Sequence, residues 1–508
     1  MKESKYNDNV VKAIYTDPIL PEYRGNPLIE ALPPIWNREE IYENILYLPP
    51  FNKKEKELDR PFLLHCLKRI TRQLFIPMPI HFEIENRISY VIRQGYILRN
   101  LLSPNQASDL QELHKAVKIR DSRFDKICLS DTATSGFSVV GYSGVGKTYA
   151  VERILGLYPQ FIYHENYNGN ILNHLQIVWI KLTCPFDGSI KGLCKRFFEH
   201  FDYLTNDNTY SKFAAARNTT ADSMIPRMAQ IARRHSLGVL VVDEIQNLNV
   251  ADSGGQEKML NFFVNLINDI GLPVILIGTN KVFPLLQREH RQMRRTENDE
   301  GYIIWENFKK DKTWELFIEV LWSFQWTRKA ADFSEEFSSL FYEETQGLVD
   351  FTVKLFAMAQ KIAIESNEEK FTPAIVKKTA REVFGSTKKV IEAIKSGDKE
   401  KLAMYEDLFP LKNDFFKNKS TDTLPRVDLR RNPEFSQFRG QENKEKSLKY
   451  ENIKSSEIYA ENVKQYNPEV VEGEDLREIV ANGRKSGLTA YESLKEYQVI
   501  GDTLGDKV

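Results

Sequence analysis

The chain has 508 residues, 42% hydrophobic and 28% charged, with a formal net charge of −1; it has length for roughly two to four domains with an ample core, and its near-neutral balance excludes a global basic field, so any nucleic-acid partner must be held by a local patch. Cys66, Cys128, Cys184 and Cys194 show no C-x-x-C pairing and no histidine stands near them at zinc-finger spacing, which excludes such a zinc site and points to reduced thiols. Met1 to Lys5 lead into no apolar signal core and the longest apolar runs are strand-length, so a soluble, cytoplasmic protein with no membrane partner is expected.

Residues 1 to about 80 are rich in proline, from Pro18 and Pro21 through Pro33-Pro34 and Pro49-Pro50 to Pro77 and Pro79. That density predicts short helical pieces, Arg38 to Leu46 and Pro61 to Leu74, joined by extended chain. Ile14, Leu28, Ile29, Leu32, Trp36 and Leu46 make the segment too apolar for a disordered tail. It reads as an arm or small domain that docks either on its own core or on a partner. From Glu83 the spacing of Ile84, Ile88, Val91, Ile92 and Tyr96 predicts an amphipathic helix, with a second over Ser108 to Ile119. Arg87, Arg93 and Arg99 lie on this segment, either on a solvated face or against an anion.

Gly141 to Thr148 reads GYSGVGKT, which fits G-x-x-x-x-G-K-[ST] between an apolar strand, Phe137 to Val140, and a helix start at Tyr149-Ala150-Val151. Glycines let successive backbone N–H groups point inward at phosphate oxygens, and the helix opening adds its positive end. Gly141, Tyr142, Ser143, Gly144, Val145, Gly146, Lys147, Thr148 and Tyr149 are therefore expected to cradle a nucleotide, ATP. Lys147 would reach the β- and γ-phosphates and Thr148 would ligate Mg²⁺.

Further on, Glu165 to Asn173 reads as an Asn-rich loop and Gln176 to Thr183 as a second buried strand, after which Ser189 is placed to cap a helix to Phe201. Residues 203 to 222 read as a polar surface loop, and Met224 to His235 as a helix. The run Val239 to Val242 ends in Asp243-Glu244. Behind a phosphate loop, Asp243 is expected to hold Mg²⁺ through water and Glu244 to orient the attacking water; solvated carboxylates at a strand end are the bland alternative. A helix over Lys258 to Ile270 leads to a fourth strand, Val274 to Ile277, which runs into Thr279 and Asn280. Their short polar side chains either bridge γ-phosphate and water or form a plain turn.

A basic cluster then includes Arg291, Arg294 and Arg295, ahead of acidic Glu297 to Glu300. It reads as an arginine finger offered to a neighbouring subunit, with local salt bridges as the competing explanation. Tyr302 to Glu306 reads as a fifth strand and Trp314 to Trp322 as the start of a long helix. Residues 333 to 384 read as a small all-helical unit, with starts at Ser334, after Gly347 and at Thr372-Pro373. Beyond residue 385 charge rises and the apolar pattern thins, so residues 386 to 508 are expected to be largely extended or disordered.

The phosphate loop, VVDEIQNL at 241 to 248, LIGTN at 276 to 280, HRQMRR at 290 to 295 and GLVDFTVKLF at 347 to 356 together resemble an AAA+ ATPase of the TnsC/TniB type. TCPFDGSIKGLCKRFF from Thr183, and WENF through LWSFQWT before the lid, resemble the longer TnsC branch. The likeness spans about residues 120 to 385, with YRGNPLIEALP at Tyr23 to Pro33 a further match. It implies an α/β fold: a P-loop AAA+ parallel sheet with helices on both faces and a small all-helical lid. The segments expected are a docking arm at 1–82, a helical linker at 83–119, the ATPase core at 120–328, the lid at 329–385 and a partner-binding tail at 386–508.

The resemblance also implies an ATP-dependent regulator of DNA transposition. Such a protein forms a ring or helical homo-oligomer on double-stranded DNA and couples a target-selection protein to transposase subunits. DNA contact would fall to Ser189, Lys191, Lys195 and Arg196, although a solvated basic helix face explains them too. One departure concerns the lid, where many AAA+ proteins place a sensing arginine and this chain has Asp350 and Lys354. A helicase loader or replication initiator, and a nucleotide-binding scaffold with negligible hydrolysis, are the alternatives.

Overall fold

Uninterrupted apolar runs such as Val239 to Val242 suit a strand buried on both faces, because alternate side chains then meet different cores. In the structure, a computed structural model, residues 10–103, 136–216, 218–250, 262–263, 266–267, 271–282, 301–366, 369–384 and 388–396 are described. The strands are β1 (Val10–Lys12), β2 (Phe137–Gly141), β3 (Phe161–Tyr167), β4 (Asn170–Ile177), β5 (Trp179–Thr183), β6 (Val239–Asp243), β7 (Val274–Gly278) and β8 (Tyr302–Trp305). Five form one parallel sheet in the order β5-β6-β7-β2-β8. Val139, Val241 and Ile277 pack into one core, and Val140, Val242 and Leu276 into the other. This is the parallel, helix-covered sheet of the P-loop AAA+ fold.

The N-terminal segment belongs to the first of these cores. Its helices are α1 (Pro27–Glu30), α2 (Arg38–Ile45), α3 (Arg60–Gln73) and α4 (Pro79–Ile97). Leu28, Ile41, Ile84, Ile88 and Val91 are buried with Val139 and Ile275, and Tyr96 donates its hydroxyl hydrogen to Ser236 O at 3.0 Å. So the segment docks on its own chain. The helix expected from Pro61 is present as α3, with Pro61 in its first turn. Pro27 and Pro79 also stand in the first turn of their helices, where the missing N–H costs nothing and the fixed φ assists, and α4 runs 19 residues, longer than the proline density predicts.

On the other face lie α6 (Ile190–Thr205) and α8 (Ala221–Arg234), which follow α5 (Lys147–Leu155) and flank the short α7 (Thr209–Phe213); Leu193, Phe197, Met224 and Met228 pack there. The stretch 203 to 222 is thus partly helical rather than a plain loop. Ser189 caps α6, its Oγ accepting Gly192 N–H at 2.8 Å.

A second difference is the Asn-rich stretch 165 to 173, expected as a loop. It is an antiparallel hairpin of β3 and β4 in a separate sheet of order β1-β3-β4. Asn168 and Gly169 take φ of 48° and 81° at its tip, the paired left-handed conformation of a tight hairpin turn. The strand expected over Gln176 to Thr183 is accordingly divided: Ile177 ends β4 and Trp179 starts β5.

Past β8, the helices α9 (Lys312–Trp322), α10 (Glu335–Thr345), α11 (Val349–Glu365), α12 (Pro373–Val383) and α13 (Lys388–Ser396) build a third core around Trp314, Phe341, Phe356 and Trp322. Leu63, Leu67 and Ile70 of α3 pack into it as well. Gly347, at φ 70°, sits so close to Phe308 that a Cβ would lie 2.4 Å from its carbonyl oxygen. The expected helices at 108–119 and 258–270, the basic cluster and the tail beyond 396 lie wholly or mostly outside the described residues. Among those described, no helix is long and apolar enough to cross a membrane.

Candidate functional site

The C-terminal ends of parallel strands point their last residues to one edge of the sheet, and there the chain places its polar sequence motifs. β2 ends at Gly141, whose added Cβ would lie 2.1 Å from Trp305 O on β8. Tyr142 and Ser143 open the loop, Val145 is buried beneath it, and Gly144 and Gly146 take φ of 83° and 100°. These left-handed values turn the backbone so that α5 begins at Lys147 with Gly146 as its cap residue. Lys147 is buried, and its Nζ donates to Gly141 O at 2.9 Å and Tyr142 O at 2.7 Å. An ammonium folded over its own loop in this way fits an anion, since a phosphate chain would exchange for neutral carbonyls a stronger, charge-assisted partner. Thr148 lies partly exposed in the first turn. Tyr149 points away, its hydroxyl donating to Arg72 O at 3.3 Å and its ring edge-on to Phe75.

Asp243 ends β6 and is buried; its Oδ1 accepts Glu244 N–H at 2.8 Å, and its Oδ2 lies 3.2 Å from Lys181 Nζ. Lys181, on β5, also donates to Glu152 of α5 at 2.5 Å. Burial pulls the Lys181 ammonium down, but the Glu152 hydrogen bond and the Asp243 charge outweigh it and raise its pKa above the ordinary lysine value. The sequence reading passed over Lys181. Its signal is a charged residue inside an otherwise apolar strand, which needs a carboxylate partner.

Glu244 is exposed with φ 59°, a left-handed conformation that costs a residue with a Cβ about 1–2 kcal/mol. Its carboxylate accepts from Gln246 Nε2. Gln246 Oε1 in turn accepts Thr279 N–H at 3.1 Å, so the two strand ends are joined by one side chain that the sequence reading missed. Thr279 and Asn280 are buried, yet among the described residues Thr279 Oγ1 and Asn280 Oδ1 have no hydrogen-bond partner. An unpaired buried polar atom costs about 1–3 kcal/mol, so two side by side at a strand end suit a polar ligand. Thr148 and Asp243 offer the hard oxygen donors that Mg²⁺ takes.

The lid reaches the same loop. Asp350 N–H, in the first turn of α11, donates to Gly144 O at 2.9 Å, and the Asp350 carboxylate is paired with Lys354 at 2.5 Å. The position where many lids carry an arginine is thus held by an acid and its own counter-ion.

Ser189, Lys191, Lys195 and Arg196 follow the end of β5. The Ser189 Oγ is engaged as the α6 cap, Lys191 and Lys195 are partly exposed, and Arg196 donates to Thr183 O at 2.7 Å. Cys184 N–H donates to Asp243 O at 2.7 Å, which ties this segment to β6. Arg291, Arg294 and Arg295 lie outside the described residues.

Residues 132–286 match the family model described as an AAA domain. No curated protein matches the chain. Among solved structures, the chain is similar to a Walker-type ATPase of Pyrococcus abyssi at 16% identity, covering 58% of this chain and 76% of that one with a TM-score of 0.32. It is also similar to the ORC2 protein of Aeropyrum pernix, at 12% identity, 54% and 67% coverage and a TM-score of 0.33. The RuvB Holliday junction branch migration motor of Thermotoga maritima gives 14% identity, 55% and 69% coverage and a TM-score of 0.28. The sheet order, the phosphate loop and the family match agree: the chain carries an AAA domain on a P-loop AAA+ fold.

Proposed function

We propose that this protein is an ATPase whose nucleotide cycle governs a homo-oligomer on double-stranded DNA, and that it serves as a regulator of DNA transposition. The observation that carries the ATPase reading is the meeting of four groups at one sheet edge: the glycine loop with Lys147, Asp243, Glu244, and Thr279 with Asn280, whose Oγ1 and Oδ1 are unpartnered among the described residues. Backbone amides of residues 144 to 148 and the Lys147 ammonium bind the phosphate chain at the start of α5. Thr148 and Asp243 would hold Mg²⁺, which when bound supplies charge neutralisation on the phosphate oxygens. Glu244 orients and polarises the attacking water, the Thr279 hydroxyl can donate to a phosphate oxygen or hold that water, and Asn280 Oδ1 can accept from the water.

The DNA and transposition parts rest on the motif resemblance. Lys191 and Lys195, one helical turn apart, bear on DNA phosphates, with Arg196 supporting the strand end. Contacts of that kind are sequence-tolerant and salt-sensitive. Arg291, Arg294 or Arg295 completes the site of a neighbouring subunit.

The test combines nucleotide binding with size. ATP, Mg²⁺ and duplex DNA together should give large assemblies by light scattering, which Glu244→Gln should stabilise and Lys147→Ala should abolish. Protein that retains no nucleotide, or that retains it and stays a single protomer indifferent to duplex at low salt, overturns the proposal.

A further inference from the structure

We infer that Gln246 is a positioning residue that fixes the Glu244 carboxylate and couples it to the strand end at Thr279. The inference rests on the ATPase reading above and names how its general base is controlled. The Gln246 amide spans two groups of opposite demand, donating from Nε2 to the Glu244 carboxylate and accepting Thr279 N–H at Oε1, 3.1 Å away. The chemistry allows one orientation only. Flipping the amide would set its carbonyl against a carboxylate and its NH₂ against an N–H, two repulsions in place of two bonds.

The surroundings hold the bridge in place. Asn247, the next residue, reaches the other way and donates from Nδ2 to Cys184 O at 3.1 Å, so the turn after β6 is anchored to both adjacent strands. Gly278 leaves the room, since a Cβ there would lie 2.6 Å from Ile245 Cγ1 and 3.1 Å from Gln246 Oε1. Beside Thr279 N–H lie the buried, unpartnered Thr279 Oγ1 and Asn280 Oδ1. A water that engages them, or a phosphate oxygen that accepts from the Thr279 hydroxyl, shifts the amide that Gln246 accepts. Through the same side chain it shifts Glu244, whose backbone is already held at φ 59°. Glu244 is thereby set by what occupies the strand end.

The experiment compares full-length wild type with Gln246→Met, which keeps the length and loses both bonds, and Gln246→Glu, which keeps the acceptor for Thr279 and loses the donor to Glu244. In Gln246→Met, kcat should fall about tenfold or more while KM for ATP and the affinity for ADP stay within about twofold. Gln246→Glu should lose at least as much, because it sets a second carboxylate against that of Glu244 in place of a donor. Without nucleotide, hydrogen exchange in the peptide carrying Thr279 should speed up in Gln246→Met and stay slow in Gln246→Glu. A Gln246→Met enzyme with kcat within twofold of wild type, a Gln246→Glu enzyme indistinguishable from wild type, or KM rising in step with the loss of kcat overturns the inference. Wild type that hydrolyses no ATP overturns the ATPase reading and this inference with it, and is recognised because wild type itself fails.

Discussion

Lowering the pH from 7.5 to 5.5 should destabilise the protein through its buried and half-buried histidines, His81, His164, His174, His200 and His235, all of whose pKa values burial lowers. Burial holds His81 at a pKa of about 3, burial with the neighbouring His164 and His235 charges holds His174 at about 3, and burial with the nearby Arg234 holds His235 at about 4. Each pKa is depressed in the folded state below the ordinary value of about 6.5. Above that value neither state binds the proton and the histidines leave stability unchanged. As the pH falls below it the unfolded chain takes up protons that the folded chain refuses, and stability drops until the folded values near 3 to 4 are reached. Between pH 7.5 and 5.5 the loss is about 1–2 kcal/mol for each of His81, His174 and His235. Glu85, whose pKa burial raises, acts in the opposite sense and offsets part of it. The assay is the unfolding midpoint in urea or heat at closely spaced pH values, with His81→Gln and His174→Gln alongside wild type. Each substitution should remove its own share of the acid loss, about 1–2 kcal/mol, and leave the rest of the slope in place. A midpoint flat from pH 7.5 to 5.5, or variants that keep the full wild-type slope, refutes the reasoning.

Lys181→Met leaves the Asp243 and Glu152 carboxylates without their cation; since Lys181 is partly exposed, the first thermal transition should fall by about 1–3 kcal/mol, less than for a fully buried pair, and an unchanged transition would show the contact to be idle. Gly146→Ala meets open space but keeps φ at 100°, so it should cost about 1–2 kcal/mol in the loop, whereas Gly141→Ala drives a Cβ into Trp305 O and should block folding; equal yields of the two in soluble form would contradict this. Trp314→Ala removes a fully buried ring from the lid core and should cost about 3–5 kcal/mol, read by chemical denaturation.

The parts of the fold legible in the sequence are those where one residue type serves one purpose. Val239 to Val242 and Val274 to Ile277 sit between two cores and so had to be continuously apolar, and Gly144 and Gly146 bear left-handed angles that few other residues take. The β3–β4 hairpin is hard to see in the sequence because β4 starts largely exposed, with Asn170, Asn173 and His174 around Ile171 and Leu172, and only its end is buried; the pair Asn168-Gly169 is the available signal. Pro27 and Pro79 were read as helix breakers when their place at a first turn makes them helix starters. At the site, the residues that terminate strands were legible because the motif spacing names them. Lys181 acts through Glu152 and Asp243, and Gln246 joins Glu244 to Thr279, so each works through a partner distant in sequence that no spacing rule reaches.

The family model begins at residue 132, but the physical unit starts upstream. Helix α3 lends Leu63, Leu67 and Ile70 to the lid, while α2 and α4 lend Ile41, Ile84 and Ile88 to the underside of the sheet. A fragment trimmed to the family boundaries would therefore bare two greasy surfaces at once, and the lid would lose the brace that ties its tilt to the ATP-binding half. A change in lid angle would disturb the packing of Leu63, Leu67 and Ile70, so α3 is bound to the lid as firmly as to the segment that carries it.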